Sequence, residues 1–167
     1  DVYKRQVIVT DQTAPEITAP ADGTLAATDA AGLASSDASV QAWFATATAT
    51  DNVDSSLTIT NDAPEVLPIG DTVVTFSVSD AAGNSASATA TVTVADLTAP
   101  VIMAPATITF LGENDGLAVS DAQVTEFLAS ITATDNVDGA ITTITNDVPA
   151  DVLPLGDTTV TFTAVDA

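Results

Sequence analysis

Alternation of hydroxyl and small apolar residues is the dominant pattern along this chain. From Ser85 to Val94 every second residue is Ser or Thr, and the residues between them are Ala or Val. A period of two is typical of a β-strand with one face buried and the other in water. The segments 72–78, 45–50 and 58–60 follow the same period, with Gly-containing turn formers between the runs. The pattern therefore predicts an all-β fold.

One segment in each half of the chain departs from this alternation. Val40, Trp43 and Phe44 follow the spacing i, i+3, i+4, and residues 121–128 repeat it. This spacing places the large apolar side chains on one face of a helix. We therefore predict a short helix before the second main strand. We also predict that Trp43 packs in the core rather than being exposed for recognition, because the corresponding residue in the second half is Phe127. The candidate N-caps are Ser36 or Asp37 and Ser120 or Asp121.

The two halves of the chain are copies of one another. Their motifs recur with an offset that drifts from 84 to 86 residues. A period of this length suits one small β-sandwich per copy and is longer than the repeats of solenoid proteins. The recurring motifs are Asp11-Gln12-Thr13-Ala14-Pro15 with Asp96-Leu97-Thr98-Ala99-Pro100, Ala49–Asp54 with Ala133–Asp138, and Leu67–Thr72 with Leu153–Thr158.

The repeat also sets the expected domain boundaries. Residues 11–95 form a complete repeat, and residues 96–167 form a repeat truncated before its last strand. Residues 1–10 combine an artefactual N-terminus with the last-strand remnant of a preceding repeat, because residues 7–10 match Val92–Ala95 and those before them match nothing else. The unpaired sheet edge of the truncated repeat is expected to associate with another chain.

Several motifs resemble those of one known family. Residues 49–52, 67–76 and 80–84 resemble hyalin-repeat (HYR-type) and related bacterial immunoglobulin-like domains, and the Asp-x-Thr-Ala-Pro segments at 11–15 and 96–100 resemble junctions in tandem arrays of bacterial surface adhesins. The resemblance implies immunoglobulin-like sandwiches used as spacer or adhesion modules. With the helical segments, it predicts an all-β fold of tandem immunoglobulin-like β-sandwiches, each with one short helix before the second main strand. The chain lacks the cysteines of animal hyalin repeats, which favours the bacterial branch.

Composition removes most catalytic chemistry. The chain has 23 acidic residues, its only basic residues are Lys4 and Arg5, and it contains neither Cys nor His. It therefore has no thiol nucleophile, no imidazole base and no ordinary zinc site, so we predict that it is not an enzyme and has no catalytic residues. A net charge of −21 disfavours nucleic acid as a partner, and no apolar run is long enough for membrane insertion.

Acidic residues occur in three segments that an immunoglobulin-like sandwich brings to one end. These oxygen ligands have no basic partners and suit Ca²⁺, so we predict a calcium site there. Asp54 and Asn84 are interpreted as turn residues, with Asp54 left in solvent. The alternative is that all the acidic residues belong to solvated turns. The predicted metal ligands are Asp11, Asp51, Asn52 and Asp80 in the first repeat and Asp96, Asp135, Asn136 and Asp166 in the second.

These features predict a non-catalytic structural or adhesive module, extracellular or on a bacterial cell surface, with calcium stiffening its domain junctions. Its expected partners are neighbouring repeats of the same chain and a cell-surface or carbohydrate ligand elsewhere in the parent protein. One alternative is an accessory module of a secreted enzyme. Another is a carbohydrate- or ice-binding surface on the Thr-x-Thr faces, although Thr is ordinary on an exposed sheet face. Those faces consist of Thr46, Thr48 and Thr50 and of Thr89, Thr91 and Thr93.

Overall fold

The computed structural model describes residues 4–167, which divide into two compact units. Unit 1 comprises the described residues up to Ala27 together with Ala31–Asp96, and unit 2 comprises Thr28–Ala30 and Leu97–Ala167. Residues 1–3, part of the segment interpreted as artefactual, lie outside the described residues. Val7–Thr10, interpreted as a strand remnant, is exposed and lies in no strand of the described chain.

Unit 1 has the sandwich-like arrangement of an immunoglobulin-like domain. Its largest sheet has the strand order β2-β8-β7-β5, while β1 pairs with β4 and β3 pairs with β6. These pairs are antiparallel except that of β2 with β8. The strands are β1 (Glu16–Thr18), β2 (Gly23–Ala26), β3 (Leu33–Ala34), β4 (Thr48–Thr50), β5 (Ile59–Asn61), β6 (Val66–Leu67), β7 (Gly70–Ser79) and β8 (Ser85–Ala95).

Strands β7 and β8 carry much of the core of unit 1. They pair in continuous antiparallel register from Gly70 opposite Val94 to Ser79 opposite Ser85. On β8 the side chains of Ala90, Val92 and Val94 are at most 3% exposed, and Ser or Thr residues alternate with them. Burying a side chain the size of Val stabilises a fold by about 1.5–3 kcal/mol. The alternating pattern read from the sequence is therefore confirmed on these two strands.

Two short helices confirm the prediction of a helix before the second main strand of each repeat. They are α1 (Ala38–Phe44) and α2 (Ala122–Ser130), and their N-caps are Asp37 and Asp121. Each N-cap carboxylate accepts a hydrogen bond of 2.8 Å from the N–H group two residues further on, which satisfies a helix donor that has no partner within the helix. Neither helix in the described part of the chain is long enough to cross a membrane.

Trp43 closes one side of the core of unit 1, in agreement with the prediction from sequence. Its ring meets Phe76 edge-on with the centroids 5.8 Å apart, and its indole Nε1–H donates a 2.8 Å hydrogen bond to the carbonyl of Ala21. The strand predicted for residues 45–50 begins only at Thr48. The reason is that the N–H of Thr46 still donates to the carbonyl of Trp43 at the helix end.

Unit 2 follows the same plan with shorter strands. Its three-stranded sheet has the order β12-β11-β9, and β13 pairs with β15 and β10 with β14. All of these pairs are antiparallel. The strands are β9 (Val101–Met103), β10 (Leu117–Ala118), β11 (Thr132–Asp135), β12 (Gly139–Ile141), β13 (Ile144–Asn146), β14 (Val152–Leu153) and β15 (Phe162–Ala164).

Asp62 is expected to make the stability of unit 1 depend on pH. Its Oδ1 accepts a 2.7 Å hydrogen bond from the N–H of Thr75 on β7. This backbone bond, followed by one from the Thr75 side chain, holds the pKa of the Asp62 carboxyl below its usual value. Because the folded-state pKa is lowered, the carboxylate stabilises the fold above the pKa of the unfolded chain, and this contribution is lost as the pH falls through the lowered pKa.

Replacing Asp62 by alanine should therefore lower the urea midpoint of unit 1 near neutral pH, and the difference from the wild type should shrink in acid. The fluorescence of Trp43, the only Trp of the chain, reports unfolding of unit 1. The matched Asp62→Asn variant keeps an acceptor oxygen but cannot ionise. Near neutral pH it should therefore lose less of the wild-type urea midpoint than Asp62→Ala does, and it should not show this pH dependence. If Asp62→Ala lowered the urea midpoint by the same amount near neutral pH and in acid, the prediction would be contradicted.

Candidate metal centre

Three carboxylates of unit 1 meet at one end of its strands. Asp11 precedes β1, Asp51 directly follows β4, and Asp80 directly follows β7. Glu16, the first residue of β1, lies opposite Thr50, the last residue of β4, so the segments that carry Asp11 and Asp51 are at the same end. One oxygen of each of the three carboxylates lies within 4.8 Å of the other two. We refer to Asp11, Asp51 and Asp80 as the acidic triad.

The loop after β4 is folded around the side chain of Asp51. Its Oδ2 accepts hydrogen bonds from the N–H groups of Val53 at 2.8 Å and Asp54 at 3.0 Å, a local turn that Asp readily forms. The backbone bonds from Asp54 and then Val53 hold the pKa of the Asp51 carboxyl below its usual value. Asp51 is therefore an anion near neutral pH, and these two bonds use only one of its oxygens.

Asp80 is fixed by Asn84 at the other end of the β7–β8 turn. Asp80 Oδ1 accepts a 2.7 Å bond from the N–H of Asn84, and Oδ2 accepts a 2.6 Å bond from its side-chain Nδ2. The same Nδ2 lies 3.4 Å from the carbonyl oxygen of Asp11. Asp80 is only 9% exposed. Asn84 thus does more than form the turn that the sequence predicts, because it also joins this turn to the segment before β1.

Two oxygens of the acidic triad are buried without a hydrogen bond. Asp11 uses Oδ1 to accept a 3.0 Å bond from the N–H of Thr13. Its Oδ2, like Oδ1 of Asp51, is buried and accepts no hydrogen bond from any residue between 4 and 167. Removing an anionic oxygen from water without a partner is costly. A bound cation would offset this cost.

The spacing of the acidic triad fits one calcium ion. Ca²⁺ binds oxygens at about 2.3–2.6 Å, so two oxygens on the same ion lie at most about 5 Å apart, and the observed limit of 4.8 Å satisfies this. Without a cation, two unit charges about 4 Å apart repel by about 1 kcal/mol in water and about 4 kcal/mol near a protein surface. The sequence has no basic residue after Arg5 to neutralise them.

Asp54 holds the two loops of the acidic triad together, and the prediction that it is left in solvent is wrong. Asp54 is partly buried, and its Oδ2 accepts a 2.9 Å hydrogen bond from the N–H of Ala81 in the β7–β8 turn. The sequence does not predict this contact, because its donor is a backbone N–H group and every residue except proline has one. The recurrence of Asp at the same place in both repeats, Asp54 and Asp138, was the available signal.

Replacing Asp54 by alanine is expected to speed hydrogen exchange of the Ala81 amide by about tenfold, because an exposed hydrogen bond to a charged group contributes about 1.5 kcal/mol, the lower end of the usual range. Exchange measured by NMR in a calcium-free buffer checks the loop contact without reference to any ion. Asp54→Asn keeps an acceptor oxygen and is the matched control. In this variant the Ala81 amide should still exchange more slowly than in Asp54→Ala. Unchanged exchange in the alanine variant would show that the contact does not hold the turn.

Unit 2 repeats much of this arrangement. Asp135 Oδ1 accepts bonds from the N–H groups of Val137 at 2.7 Å and Asp138 at 3.1 Å, and Asp138 Oδ2 accepts a 2.7 Å bond from the N–H of Ala167. Asp135 is 9% exposed, and one of its oxygens lies within 4.8 Å of one of Asp166. The other predicted ligands are Asp96, the last residue of unit 1, and Asn52 and Asn136, which are exposed on the loops after β4 and β11.

The threonine faces are less regular than the sequence suggests. Thr46 lies outside β4, and its hydroxyl donates to the carbonyl of Trp43 at 2.8 Å. On β8, the Thr93 hydroxyl donates to Asp71 Oδ1 at 2.6 Å. Two of the six hydroxyls are therefore engaged within the protein, which weighs against a continuous binding surface for carbohydrate or ice.

Comparison with known proteins supports the resemblance to hyalin-repeat domains that the sequence motifs indicate. The HYR domain family matches residues 10–94, a range that contains the whole acidic triad. Hyalin of Strongylocentrotus purpuratus is 37% identical over 131 residues, which cover 76% of this chain and 11% of that protein. Hyalin of Lytechinus variegatus is 37% identical over 128 residues, which cover 74% of this chain and 24% of that protein. The chain therefore spans at most about a quarter of the length of these relatives.

Proposed function

The chain belongs to the HYR domain family, and from this premise we propose that it is a non-catalytic, extracellular structural or adhesive module that binds calcium at the acidic triad. Asp11, Asp51 and Asp80 supply the carboxylate oxygens. Ca²⁺ takes six to eight oxygen ligands, so Asn52, backbone carbonyls and water complete the set. Asp135 and Asp166, with Asp96 and Asn136, are the corresponding ligands proposed for the second repeat.

The observation that carries this proposal is the pair of buried oxygens, Asp11 Oδ2 and Asp51 Oδ1, that accept no hydrogen bond within residues 4–167. The alternative interpretation of the same sequence is that these residues belong to solvated turns, and in that case both oxygens would lie in water. Burying an anionic oxygen with no donor beside it is costly, and a bound cation would offset this cost. Calcium suits the site better than magnesium because it tolerates irregular oxygen ligands, whereas magnesium demands near-octahedral geometry.

Calcium at this position has a mechanical consequence. Asp11 lies on the segment that leads into β1, while Asp51 and Asp80 lie on loops fixed by β4 and β7. An ion that binds all three holds the incoming segment against the end of the domain, and it fixes the direction from which the chain enters. In a protein with several such domains, this would stiffen the junctions between them and favour an extended spacer.

Three finer parts of the proposal rest on sequence alone. The repeated motifs support a tandem array in which neighbouring repeats are the nearest partners, with a cell-surface or carbohydrate ligand elsewhere in the parent protein. The net charge of −21 suits a surrounding rich in salt or divalent cations, which screen or neutralise it, and supports an extracellular location. The absence of cysteine supports a bacterial source, although the relatives compared above come from animals.

Thermal unfolding with calcium and with a chelator tests the proposed function. Calcium at 100 times its Kd should stabilise unit 1 by about 2.7 kcal/mol, which raises the Tm of a domain of this size by roughly 10–20 °C. Trp43 fluorescence follows this transition. Magnesium at the same concentration is the matched control for general charge screening. The same Tm in calcium and chelator, or an equal rise with magnesium, would contradict a specific calcium site.

A further inference from the structure

Side-chain contacts join two of the three pairs of segments that carry the acidic triad. The loop after β4 is joined to the β7–β8 turn, because Asp54 accepts a 2.9 Å hydrogen bond from the N–H of Ala81. The β7–β8 turn is joined to the segment before β1 by Asn84, whose Nδ2 lies 3.4 Å from the carbonyl oxygen of Asp11. The third pair carries the two buried oxygens, on Asp11 and Asp51, that accept no hydrogen bond within residues 4–167. A cation bound to these oxygens would join the third pair.

Asn84 is the hydrogen-bond partner of both carboxylate oxygens of Asp80. Its backbone N–H donates to Oδ1 at 2.7 Å, and its side-chain Nδ2 donates to Oδ2 at 2.6 Å. Two donors from one residue fix the plane of the carboxylate as well as its position. An ionised carboxylate can accept about four hydrogen bonds or metal contacts, so Asp80 keeps acceptor capacity for a cation after it has accepted these two bonds.

Both donors of Asn84 are uncharged, which suits a cation site. A Lys or Arg at the same place would also orient the carboxylate of Asp80, but its positive charge would repel a bound cation. An amide orients the carboxylate and leaves its negative charge available to the ion. Asn84 therefore has the chemistry of a residue that supports a metal ligand from outside the ligand set.

The contact of Asn84 with Asp11 is the weakest of its three contacts. Its length of 3.4 Å exceeds the usual range of about 2.7–3.2 Å for an N–H···O hydrogen bond. An ion that binds the carboxylates of Asp11 and Asp80 together would draw the segment before β1 towards the β7–β8 turn and shorten this contact. Asn84 would then couple binding of the ion to the position of the incoming segment.

We propose that Asn84 is a positioning residue of the calcium site, an inference that rests on the proposed function. It acts through its neighbours: it orients Asp80 towards the ion, and it holds the segment of Asp11 beside the β7–β8 turn. The sequence alone predicts only a turn role for Asn84. Replacing a residue that supports a metal ligand typically weakens metal binding by about 10–100-fold.

The Asn84→Ala variant tests this role in a calcium titration of the full chain. NMR resonances of the amides of residues 51–54 report binding at the acidic triad itself. The variant keeps the backbone N–H that bonds Asp80 Oδ1 and loses only the contacts of Nδ2. Its Kd for calcium should rise at least about tenfold. Its Tm in chelator should also fall, because Asp80 loses a hydrogen bond. A merely structural role would lower this Tm and leave the Kd of the folded protein unchanged.

Two further variants make the test specific. Asn61→Ala is the matched control, because Asn61 also supports a turn by accepting a 3.2 Å bond from the N–H of Ala63, but it lies opposite Phe76 within β7 rather than at the end of that strand. Its substitution should leave the Kd unchanged. Asn84→Ser keeps a side-chain donor beside Asp80, so it should bind calcium more tightly than Asn84→Ala. This milder variant also decides the question if Trp43 fluorescence shows that Asn84→Ala is unfolded.

The outcomes separate this role from the calcium site itself. An unchanged Kd in the variants of Asn84, or an equal rise in Asn61→Ala, would overturn the role of Asn84 while the proposed function stands. If calcium does not shift the amide resonances of residues 51–54 in the wild type, the proposed function fails, and the role of Asn84 fails with it.

Discussion

Replacing Phe76 by alanine is expected to destabilise unit 1 by about 3–5 kcal/mol. Phe76 lies on β7 with 1% of its surface exposed, and its ring contacts Trp43 and Phe44 with centroid distances of 5.8 and 6.0 Å. The substitution leaves a cavity between these rings that the continuous β7–β8 ladder cannot close. A urea titration followed by the fluorescence of Trp43 measures the loss of stability.

The matched control for this substitution is Val73→Ala on the same strand. Val73 is 64% exposed, so its truncation should change the free energy of unfolding by no more than about 0.5 kcal/mol. Similar losses for the Phe76 and Val73 variants would contradict the assignment of the core to this face of β7.

Replacing Asp51 by asparagine is expected to destabilise unit 1 in calcium and to change its stability little in chelator. Asn keeps an acceptor oxygen for the N–H groups of Val53 and Asp54, which Asp51 Oδ2 binds in the wild type, while its amide nitrogen replaces the buried Oδ1 that accepts no described hydrogen bond. In chelator the variant should be close to the wild type in stability, because the reduced repulsion within the acidic triad offsets the weaker hydrogen bonds that a neutral acceptor makes. In calcium it should lose most of the roughly 2.7 kcal/mol that the ion contributes at 100 times its Kd.

Thermal unfolding of both proteins in calcium and in chelator checks this difference. Asp121→Asn is a suitable control, since it also removes one charge from an Asp but acts at the start of α2 in unit 2. It should leave the calcium response of unit 1 intact. An Asp51→Asn variant that is equally destabilised in both buffers would show that Asp51 acts only as a turn residue.

The fold was predictable where local pattern and tertiary environment agree. The alternation of residues 85–94 predicted β8 because this strand has one buried and one hydroxyl-bearing face. The i, i+3, i+4 spacing predicted α1 because Val40 faces the core and Asp37 caps the helix. The meeting of Asp11, Asp51 and Asp80 was predictable because it follows from the ends of the strands to which they are attached.

Other features depend on contacts that no local pattern records. The role of Asp54 depends on a backbone N–H 27 residues away. Thr46 fits a strand alternation, yet it lies just after the C-cap of α1, where hydrogen bonds to the carbonyl of Trp43 hold it. Val160 and Phe162 of unit 2 align with Val74 and Phe76 of unit 1, yet they are partly exposed where Val74 and Phe76 are buried.

Calorimetric titration of calcium into the chain tests the central claim most directly. It should be performed on the wild type and on the Asp11→Asn, Asp51→Asn double variant, in which both substitutions keep an acceptor oxygen for the local hydrogen bonds. The variant should bind one calcium ion fewer per chain than the wild type, while Trp43 fluorescence shows that unit 1 remains folded. Equal calcium binding by the two proteins, or none by either, would contradict a calcium site at the acidic triad.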